Sequence, residues 1–224
     1  MQALKTSVHV MGLILLIAGL WSCQKQFSSG EVFTAKSKAL ASIETTATSS
    51  LQVYGVWHAG NDACSWASVR SVTDFDAQNH WIIDRGNGSP SVNLVVLSFV
   101  NPLKLLRKTT DAGNLNGVPR GMTTDIINYF KNKNIRVMLS IGGITYTNDW
   151  NTALAEAPAQ LGTNAAALAS SLGVGIEIDY EESSSPNLTG LQQFISAYRA
   201  VHAYDSTGKN PAARLTIDLA AGDR

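Results

Sequence analysis

The chain has 224 residues, of which 45% are hydrophobic and 15% are charged, a composition typical of globular proteins and not of disordered ones. Its 17 Lys and Arg residues balance its 17 Asp and Glu residues, so the formal net charge is zero. Zero net charge argues against a general nucleic-acid binder and against a protein that binds anionic membranes through basic residues. We therefore expect no nucleic-acid partner, and a neutral polymer would be a suitable substrate.

The chain begins with a segment typical of export signals. Lys5 precedes an apolar run, residues 8–20, that is shorter than the roughly 20 residues of a membrane-spanning helix. The run ends in the tetrapeptide LWSC, which resembles a bacterial lipobox. We predict that residues 1–23 are a lipoprotein-type signal peptide and that Cys23 is lipidated. The protein would then be anchored to a membrane of the bacterial cell envelope, and secretion by an ordinary signal is the alternative.

Residues 24–50 are rich in Ser, Thr, Ala and Lys and contain few large apolar side chains. This composition predicts a tether between the lipid anchor and a folded domain. Cys64 is the only other cysteine besides Cys23, so we expect no disulfide within the mature chain. No histidine cluster at ligand spacing accompanies Cys64, and we predict no metal and no cofactor.

Five β-type apolar runs recur along residues 51–224 at intervals of roughly 40 residues. They begin at Leu51, Ser91, Ile135, Gly173 and Arg214. Apolar residues at helical spacing occur around residues 126–130 and 191–201, and an alanine-rich stretch, residues 163–172, predicts a shorter helix before the fourth strand. This alternation of strands and helices indicates βα units and a parallel sheet.

Long segments follow the first two strands. Residues 60–90 follow strand one, with room for a helix around residues 65–79, and residues 101–123 follow strand two. In a (β/α)8 barrel, such segments build the substrate face. An open doubly wound sheet is the alternative, but no GxGxxG phosphate-binding spacing follows strand one. Thr189 and Gln192 predict a capping box at the start of the last helix.

The fourth strand carries three carboxylates at alternate positions, Glu177, Asp179 and Glu181. Side chains alternate between the faces of a strand, so all three point to one side. Such a pattern is often a solvated face, but a parallel strand is covered on both faces, so we expect the acids to face the interior. Crowding then raises the proton affinity of at least one carboxylate, as a general acid requires. The other face carries Val174, Ile176, Ile178 and Tyr180, which we expect to pack against helices.

Two motifs resemble those of glycoside hydrolase family 18, the chitinase-like enzymes. Residues 175–181, GIEIDYE, resemble the family signature DGxDxDxE, and residues 139–143, LSIGG, resemble the SxGG motif of the family's third strand. The resemblance implies an α/β fold, the (β/α)8 TIM barrel, with about the first five βα units present in this chain. It identifies residues 51–224 as the N-terminal portion of the catalytic barrel.

The resemblance also implies a role for each acid of the signature. Glu181 corresponds to the catalytic acid, Asp179 to the aspartate that orients the 2-acetamido group of the substrate, and Glu177 to the inner aspartate. The chain departs from the signature at Val174, where the family has an aspartate, and at Glu177, which is one methylene longer. We interpret both departures as altered tuning of the acids and not as loss of activity.

The implied reaction is hydrolysis of β-1,4-linked N-acetylglucosamine polymers, chitin or chitooligosaccharides, by a retaining, substrate-assisted mechanism. Tyr180, Ser140 and Trp57 are further candidates for substrate binding. For Tyr180 and Trp57 the alternative is packing in the core, and for Ser140 it is a hydrogen bond to the buried acids.

Two other functions are compatible with the same residues. Family 18 barrels also serve as catalytically silent carbohydrate-binding proteins, and endo-β-N-acetylglucosaminidases that act on N-glycans use the same acid. Residues 51–224 are fewer than the roughly 250 residues of a complete barrel. We therefore interpret the sequence as a fragment truncated after the fifth strand, which alone need not be active.

Overall fold

The structure is a computed structural model that describes residues 53–59 and 66–218. Several predictions lie outside the described residues, namely the signal peptide, lipidation at Cys23, the tether over residues 24–50, and Cys64. Within the described ranges, none of the helices has both the length and the apolar character needed to cross a membrane.

The described residues form strands and helices that largely alternate. In chain order these are β1 (Val56–His58), α1 (Val72–Ile83), β2 (Leu94–Val100), α2 (Pro102–Arg107), β3 (Asn114–Leu115), β4 (Val118–Pro119), α3 (Thr124–Lys131), β5 (Arg136–Gly142), α4 (Thr147–Glu156), α5 (Pro158–Leu172), β6 (Gly175–Asp179), α6 (Leu188–Val201) and β7 (Leu215–Asp218). Short 3-10 helices occur at Ile144–Tyr146 and Pro211–Ala213.

Five of the strands form one parallel sheet in the order β1-β2-β5-β6-β7, and β3 and β4 form a separate antiparallel hairpin. Each strand of the sheet pairs in parallel with the next one of the series, and helices connect them. This order is that of consecutive βα units in a (β/α)8 barrel, so the predicted fold class, with about five such units, is confirmed. In the part of the chain that the structure describes, β1 pairs with β2 alone and β7 with β6 alone.

The outer face of the sheet is apolar because alternate residues of each strand point toward the helices. Leu97, Leu139 and Ile176 are adjacent in register on β2, β5 and β6, and each is completely buried. Phe75 of α1 and Phe130 of α3 are also completely buried and belong to the same hydrophobic core. Burial of such apolar surface, at roughly 25 cal/mol per Å², is the main stabilising contribution to the fold.

The inner face of the sheet is polar near the strand ends. Ser98, Ser140, Glu177 and Thr216 occupy adjacent register positions on β2, β5, β6 and β7. Ser98 and Ser140 are completely buried. The interior therefore contains a layer of hydroxyl and carboxyl groups, where barrel interiors more often contain branched apolar side chains.

The start of α6 differs from the prediction. The helix begins after Asn187, whose side-chain oxygen accepts a hydrogen bond from the backbone N–H of Gly190 at 2.9 Å. Asparagine is among the best N-cap residues because its side chain satisfies an otherwise unpaired N–H of the first turn. The predicted capping box of Thr189 and Gln192 is therefore wrong, since Thr189 already lies in the first turn.

Three connecting segments also differ from the predictions. Helix α1 lies later than the predicted residues 65–79, because Ser71 caps it by accepting from the N–H of Asp74. The helix before the fourth strand, α5, has 15 residues and follows α4, where a shorter helix was expected. Residues 101–123, predicted as a loop, contain α2 and the β3-β4 hairpin. Apolar spacing does not reveal this hairpin because its strands have two residues each, and its turn is formed by Asn116 and Gly117, both at positive φ.

Candidate active site

The candidate site lies at the carboxyl end of β6. Glu177 and Asp179 belong to this strand, and Glu181 follows its last residue by two positions. The residues that alternate with the strand acids point the other way, since Ile176 is completely buried and Ile178 is 1% exposed in the apolar core. The predicted alternation therefore holds along β6, and Glu181 continues the acidic side beyond the strand end.

The second motif, residues 139–143, brings β5 very close to this strand end. Gly142 and Gly143 have φ angles of 127° and 87°, which residues with a Cβ rarely adopt. A Cβ on Gly142 would lie 1.9 Å from the carbonyl oxygen of Asp179. The N–H of Gly143 donates a hydrogen bond to the same oxygen at 3.0 Å. The two glycines thus fix the backbone from which the Asp179 side chain projects.

A cavity of about 820 Å³ opens above the strand ends. Its lining includes the acids Asp179 and Glu181, the aromatic residues Phe99 and Tyr146, and Asn114 of the β3-β4 hairpin. The segment after β2, which was predicted to contribute to the substrate face, therefore does line the cavity. Glu177 does not line it, although its side chain is 14% exposed.

Asp179 is the most enclosed acid of the site, with 4% of its surface exposed. Burial, followed by the negative charges of Glu181, Asp218 and Glu177, raises the pKa of Asp179 from 3.8 to about 7. A hydrogen bond with Glu181 contributes to the same shift. Asp179 therefore retains a proton to a higher pH than an ordinary aspartate.

Two polar atoms next to these acids lack a hydrogen-bond partner among the described residues. They are Oδ1 of Asp179 and Oγ of Ser140, and both are buried. A buried polar atom without a partner is destabilising by about 1–3 kcal/mol, so such atoms are rare outside functional sites. Ser140 lies beside Glu177 in the register and does not line the cavity, so the structure shows neither a substrate contact nor the expected hydrogen bond from Ser140 Oγ to the acids.

His58, a residue that the sequence patterns did not single out, contacts the acids. Its Nε2 lies 3.0 Å from Oε1 of Glu177, and Ser98 Oγ lies 3.3 Å from its Nδ1. The hydrogen bond with Glu177 raises the pKa of His58 above 6.5 despite the opposing effect of burial. The charges of Glu177, Asp179 and Asp218 act in the same direction. His58 therefore keeps its positive charge to a higher pH than an ordinary histidine, in contact with the acid cluster.

Asp218 is the second residue that the sequence patterns did not single out. It is the register partner of Asp179 on β7, and both it and His58 line the cavity. Donor atoms of His58, Glu177, Asp179 and Asp218 lie within 4.8 Å of one another, a spacing that could hold a divalent cation. The His58 nitrogen is already paired with Glu177, so we interpret the group as an ion-pair network.

Both residues had a signal in the sequence. In the last strand, Thr216 and Asp218 alternate with Leu215 and Ile217, which is the same inner and outer alternation as on β6. His58 follows Trp57 and therefore has the opposite orientation to that aromatic residue. The alternation of residues at the ends of β1 and β7, considered together with that of β6, predicts both side chains on the inner face.

The remaining predicted binding residues lie on the helix side of the sheet. The Trp57 ring contacts Phe75 and Phe130, with centroids 6.5 and 6.2 Å away. The Tyr180 hydroxyl donates to Asn151 Oδ1 and accepts from the N–H of Asn187 at 3.0 Å. Neither side chain lines the cavity, so for both residues the structure favours the alternative of packing.

No protein-family model matches the sequence, and no curated protein matches it either. Solved structures similar to the chain include a family 18 (GH18) chitinase from Pseudoalteromonas aurantia at 18% identity with a TM-score of 0.47, and a chitinase from Rhizomucor miehei at 13% identity with a TM-score of 0.44. The likeness covers 73% and 72% of this chain but 54% and 55% of theirs, so the chain spans about half their length. At TM-scores below 0.5, a likeness supports no conclusion about function.

Proposed function

We propose that the protein is a glycoside hydrolase that cleaves β-1,4-linked N-acetylglucosamine polymers, chitin or chitooligosaccharides, with Glu181 as acid and base. The observation that carries the proposal is the pair of Asp179 and Glu181, which both line a cavity of about 820 Å³, with the pKa of Asp179 raised to about 7. A carboxyl group that keeps its proton at the working pH can donate it to a leaving oxygen. The resemblance of residues 175–181 to the family 18 signature supports the substrate class.

In the proposed reaction, the substrate supplies its own nucleophile. Glu181 donates a proton to the glycosidic oxygen while the N-acetyl oxygen of the sugar attacks C1, so the C1–O bond breaks and an oxazolinium intermediate forms. Water then attacks C1, the bond between C1 and the acetamido oxygen breaks, and the water gives a proton to Glu181, which restores the acid and the N-acetyl group and retains the anomeric configuration. Asp179 orients the acetamido group and stabilises the positive charge that develops on it.

The raised pKa of Asp179 fits this sequence of steps. A proton held by Asp179 can pass to the catalytic acid through the hydrogen bond between Asp179 and Glu181. Positive charge that develops on the oxazolinium ring favours the ionised form of Asp179. Formation of the intermediate therefore drives the proton toward Glu181 and on to the leaving oxygen.

The cavity suits an uncharged sugar chain. Phe99 and Tyr146 place aromatic rings in its wall, and Asn101 and Asn114 line it with uncharged amide side chains. Aromatic rings combine an apolar face with little conformational freedom, a good match for the flat, partly apolar face of a pyranose ring. The zero net charge of the chain agrees with a neutral substrate.

The test is hydrolysis of fully N-acetylated chitooligosaccharides, compared with their deacetylated counterparts. We expect cleavage of the acetylated oligomers with retention of configuration, and little cleavage of the deacetylated ones because they lack the nucleophile. Equal cleavage of both would contradict the substrate-assisted mechanism. Binding without cleavage would indicate a carbohydrate-binding protein, and cleavage confined to glycoprotein N-glycans would indicate an endo-β-N-acetylglucosaminidase.

We further propose that the protein is anchored to the bacterial cell envelope through a lipid on Cys23. The export-type apolar run and the LWSC tetrapeptide support this proposal. Cys23→Ala should abolish labelling by a radioactive or clickable fatty acid and release the protein from the membrane fraction. Unchanged membrane partitioning of Cys23→Ala, without a labelled peptide in the native protein, would contradict lipidation.

A further inference from the structure

The contact between His58 and Glu177 joins two strands that are not neighbours. β1 and β6 are separated in the sheet by β2 and β5. Neighbouring strands lie about 4.8 Å apart, so these two strands would be about 14 Å apart in a flat sheet. The 3.0 Å contact therefore requires a curled sheet and two long side chains that meet in its interior.

The length of Glu177 matters for this contact. The family 18 signature has an aspartate at this position, and Glu177 is one methylene longer. The Glu177 side chain is 14% exposed and the His58 side chain 35% exposed, so the pair lies between the buried sheet interior and the open cavity. The longer side chain of Glu177 therefore reaches His58, so the departure from the signature coincides with a contact between these two side chains.

We propose that His58 is a positioning residue for the reaction, and that its imidazole anchors the Glu177 carboxyl group and places a basic group beside the acids that line the cavity. This role rests on the proposed function. Glu177 does not line the cavity, whereas Asp179 and Glu181 do. The His58–Glu177 contact thus leaves Asp179 and Glu181 as the carboxyl groups that can reach a glycosidic oxygen.

The groups around His58 agree with this role. The strand β6 presents Glu177 and Asp179 to it, and β7 presents Asp218. The strand β2 presents the uncharged Ser98, whose Oγ lies 3.3 Å from Nδ1, and the ring of Phe99, whose centroid is 5.9 Å away. Among the residues that the structure describes, the charged groups that act on the imidazole are acids, and Glu177 has the strongest effect among them.

The first experiment compares the pH dependence of kcat and KM for the native protein, His58→Gln and Glu177→Asp. Gln keeps a hydrogen-bonding group but has no charge, and Asp keeps the charge but is too short for the contact. We expect each variant to lower kcat roughly tenfold, the equivalent of one pKa unit, with KM changed less. In His58→Gln the alkaline limb should move to higher pH, because loss of a positive charge raises the proton affinity of the remaining acids.

Two further variants separate positioning from a merely structural role. His58→Lys retains a positive charge and should restore most of kcat. The double variant His58→Gln/Glu177→Asp should be little worse than either single variant, since both remove the same contact. The matched control is His80→Gln, which removes a second histidine–carboxylate pair, with Asp76 at 2.9 Å, on the exposed surface of α1. His80→Gln should leave the pH profile unchanged.

A measurement without substrate separates this inference from the proposed function. The pKa of the His58 imidazole, followed by NMR, should fall in Glu177→Gln because the carboxylate that raises it is gone. An unchanged His58 pKa, or an unaltered pH profile in His58→Gln, would overturn the proposal. So would activity that is abolished by EDTA and restored by Zn²⁺, since His58 would then be a metal ligand. If the His58 pKa falls but the protein cleaves no chitooligosaccharide, the ion pair stands, the proposed function fails, and the positioning role fails with it.

Discussion

The two faces of β6 carry opposite kinds of side chain on one short strand. Ile176 and Ile178 lie on the outer face in the apolar core, while Glu177 and Asp179 lie on the inner face below the cavity. The outer face stabilises the fold by burial of apolar surface. The inner face opposes folding, since an enclosed carboxyl group with a pKa of about 7 is destabilising whenever it is ionised. Proteins retain such a cost mainly where function requires it.

Trp150 links the two faces. Its ring is completely buried, and its Nε1 donates to the carbonyl oxygens of Ile141 at 3.2 Å and Asp179 at 3.0 Å. The backbone that carries the acid is therefore held from the helix side by a core residue. A rigid outer layer thus allows the inner layer to keep crowded charges in place. The comparison predicts that inner substitutions change catalysis and outer ones change stability.

The largest effect is expected for Glu181→Gln. Gln has nearly the same shape but cannot donate the proton, so hydrolysis of N-acetylglucosamine oligomers should fall roughly 10²–10⁴-fold. Binding of the oligomers, measured by calorimetry, should remain because ground-state contacts come mainly from other residues. The thermal stability should change little, since Glu181 lies beyond the strand end.

Glu182→Gln provides the matched control for this substitution. Glu182 accepts hydrogen bonds from Asn151 Nδ2 at 3.0 Å and from the N–H of Ser184 at 2.8 Å, and it does not line the cavity. The same change one residue along should therefore leave the rate within about threefold, a free-energy change of less than about 1 kcal/mol. Equal losses in both variants would mean that the loop conformation, and not the Glu181 proton, is responsible.

The next effect concerns the outer face. Ile178→Ala should lower the free energy of unfolding by about 2–5 kcal/mol, because it leaves a cavity in a packed core. Denaturant unfolding gives this quantity. Ile217 is the register partner of Ile178 on β7 and is 45% exposed, so Ile217→Ala should have a smaller effect, below about 1 kcal/mol. A comparable loss in the two variants would show that the outer layer is not packed as described.

The third effect is the dependence of stability on pH. Asp179 has a pKa of about 7 in the folded protein and 3.8 as its ordinary value. Between these values the folded state holds a proton that the unfolded state has lost, so stability falls as pH rises from about 4 to about 7 and is level above that. Asp179→Asn removes this group, and at pH 8 the variant should be more stable than the native protein by about 1–4 kcal/mol.

Unfolding at a series of pH values tests this prediction. The native and Asp179→Asn proteins should have similar stability near pH 4 and diverge as pH rises. His58 does not obscure this window. Its folded pKa is raised, so its contribution is fully present below 6.5 and is lost only as pH rises through the higher folded value. An undiminished slope between pH 4 and 6 in Asp179→Asn would assign the pH dependence to another group.

The alternation of residues along the strands predicted most of the fold and part of the site. Strand parity placed Ile176 and Ile178 in the core, and Glu177 and Asp179 on the other face, because parity is a local property of the chain. The contact of His58 with Glu177 could not be predicted, since it depends on the curl of the sheet across two intervening strands. The same limit applies to the residues that line the cavity from β3 and β4.

Strand parity does not predict which groups a side chain contacts on its face of the sheet, and Tyr180 is an example. Its position next to two acids suggested a role in substrate binding, while its parity with Ile178 suggested packing. The hydroxyl resolves the ambiguity in the structure, because it bonds to Asn151 and to the N–H of Asn187 at the start of α6. The Tyr180 hydroxyl accepts a hydrogen bond from the backbone N–H at the start of α6. This bond is a tertiary contact, which the sequence pattern does not predict.

The smallest effect is therefore expected for Tyr180→Phe. Loss of the hydroxyl leaves the N–H of Asn187 and the side chain of Asn151 each without one hydrogen-bond partner, so the free energy of unfolding should fall by about 1–3 kcal/mol. The value belongs at the low end of that range, because Asn151 is only half-buried and its amide keeps its bond to Glu182. The rate of hydrolysis and KM should stay within about twofold of the native values, a difference below about 0.5 kcal/mol. A rise in KM without a loss of stability would show that Tyr180 contacts the substrate. The outer face of β6 would then not be purely structural.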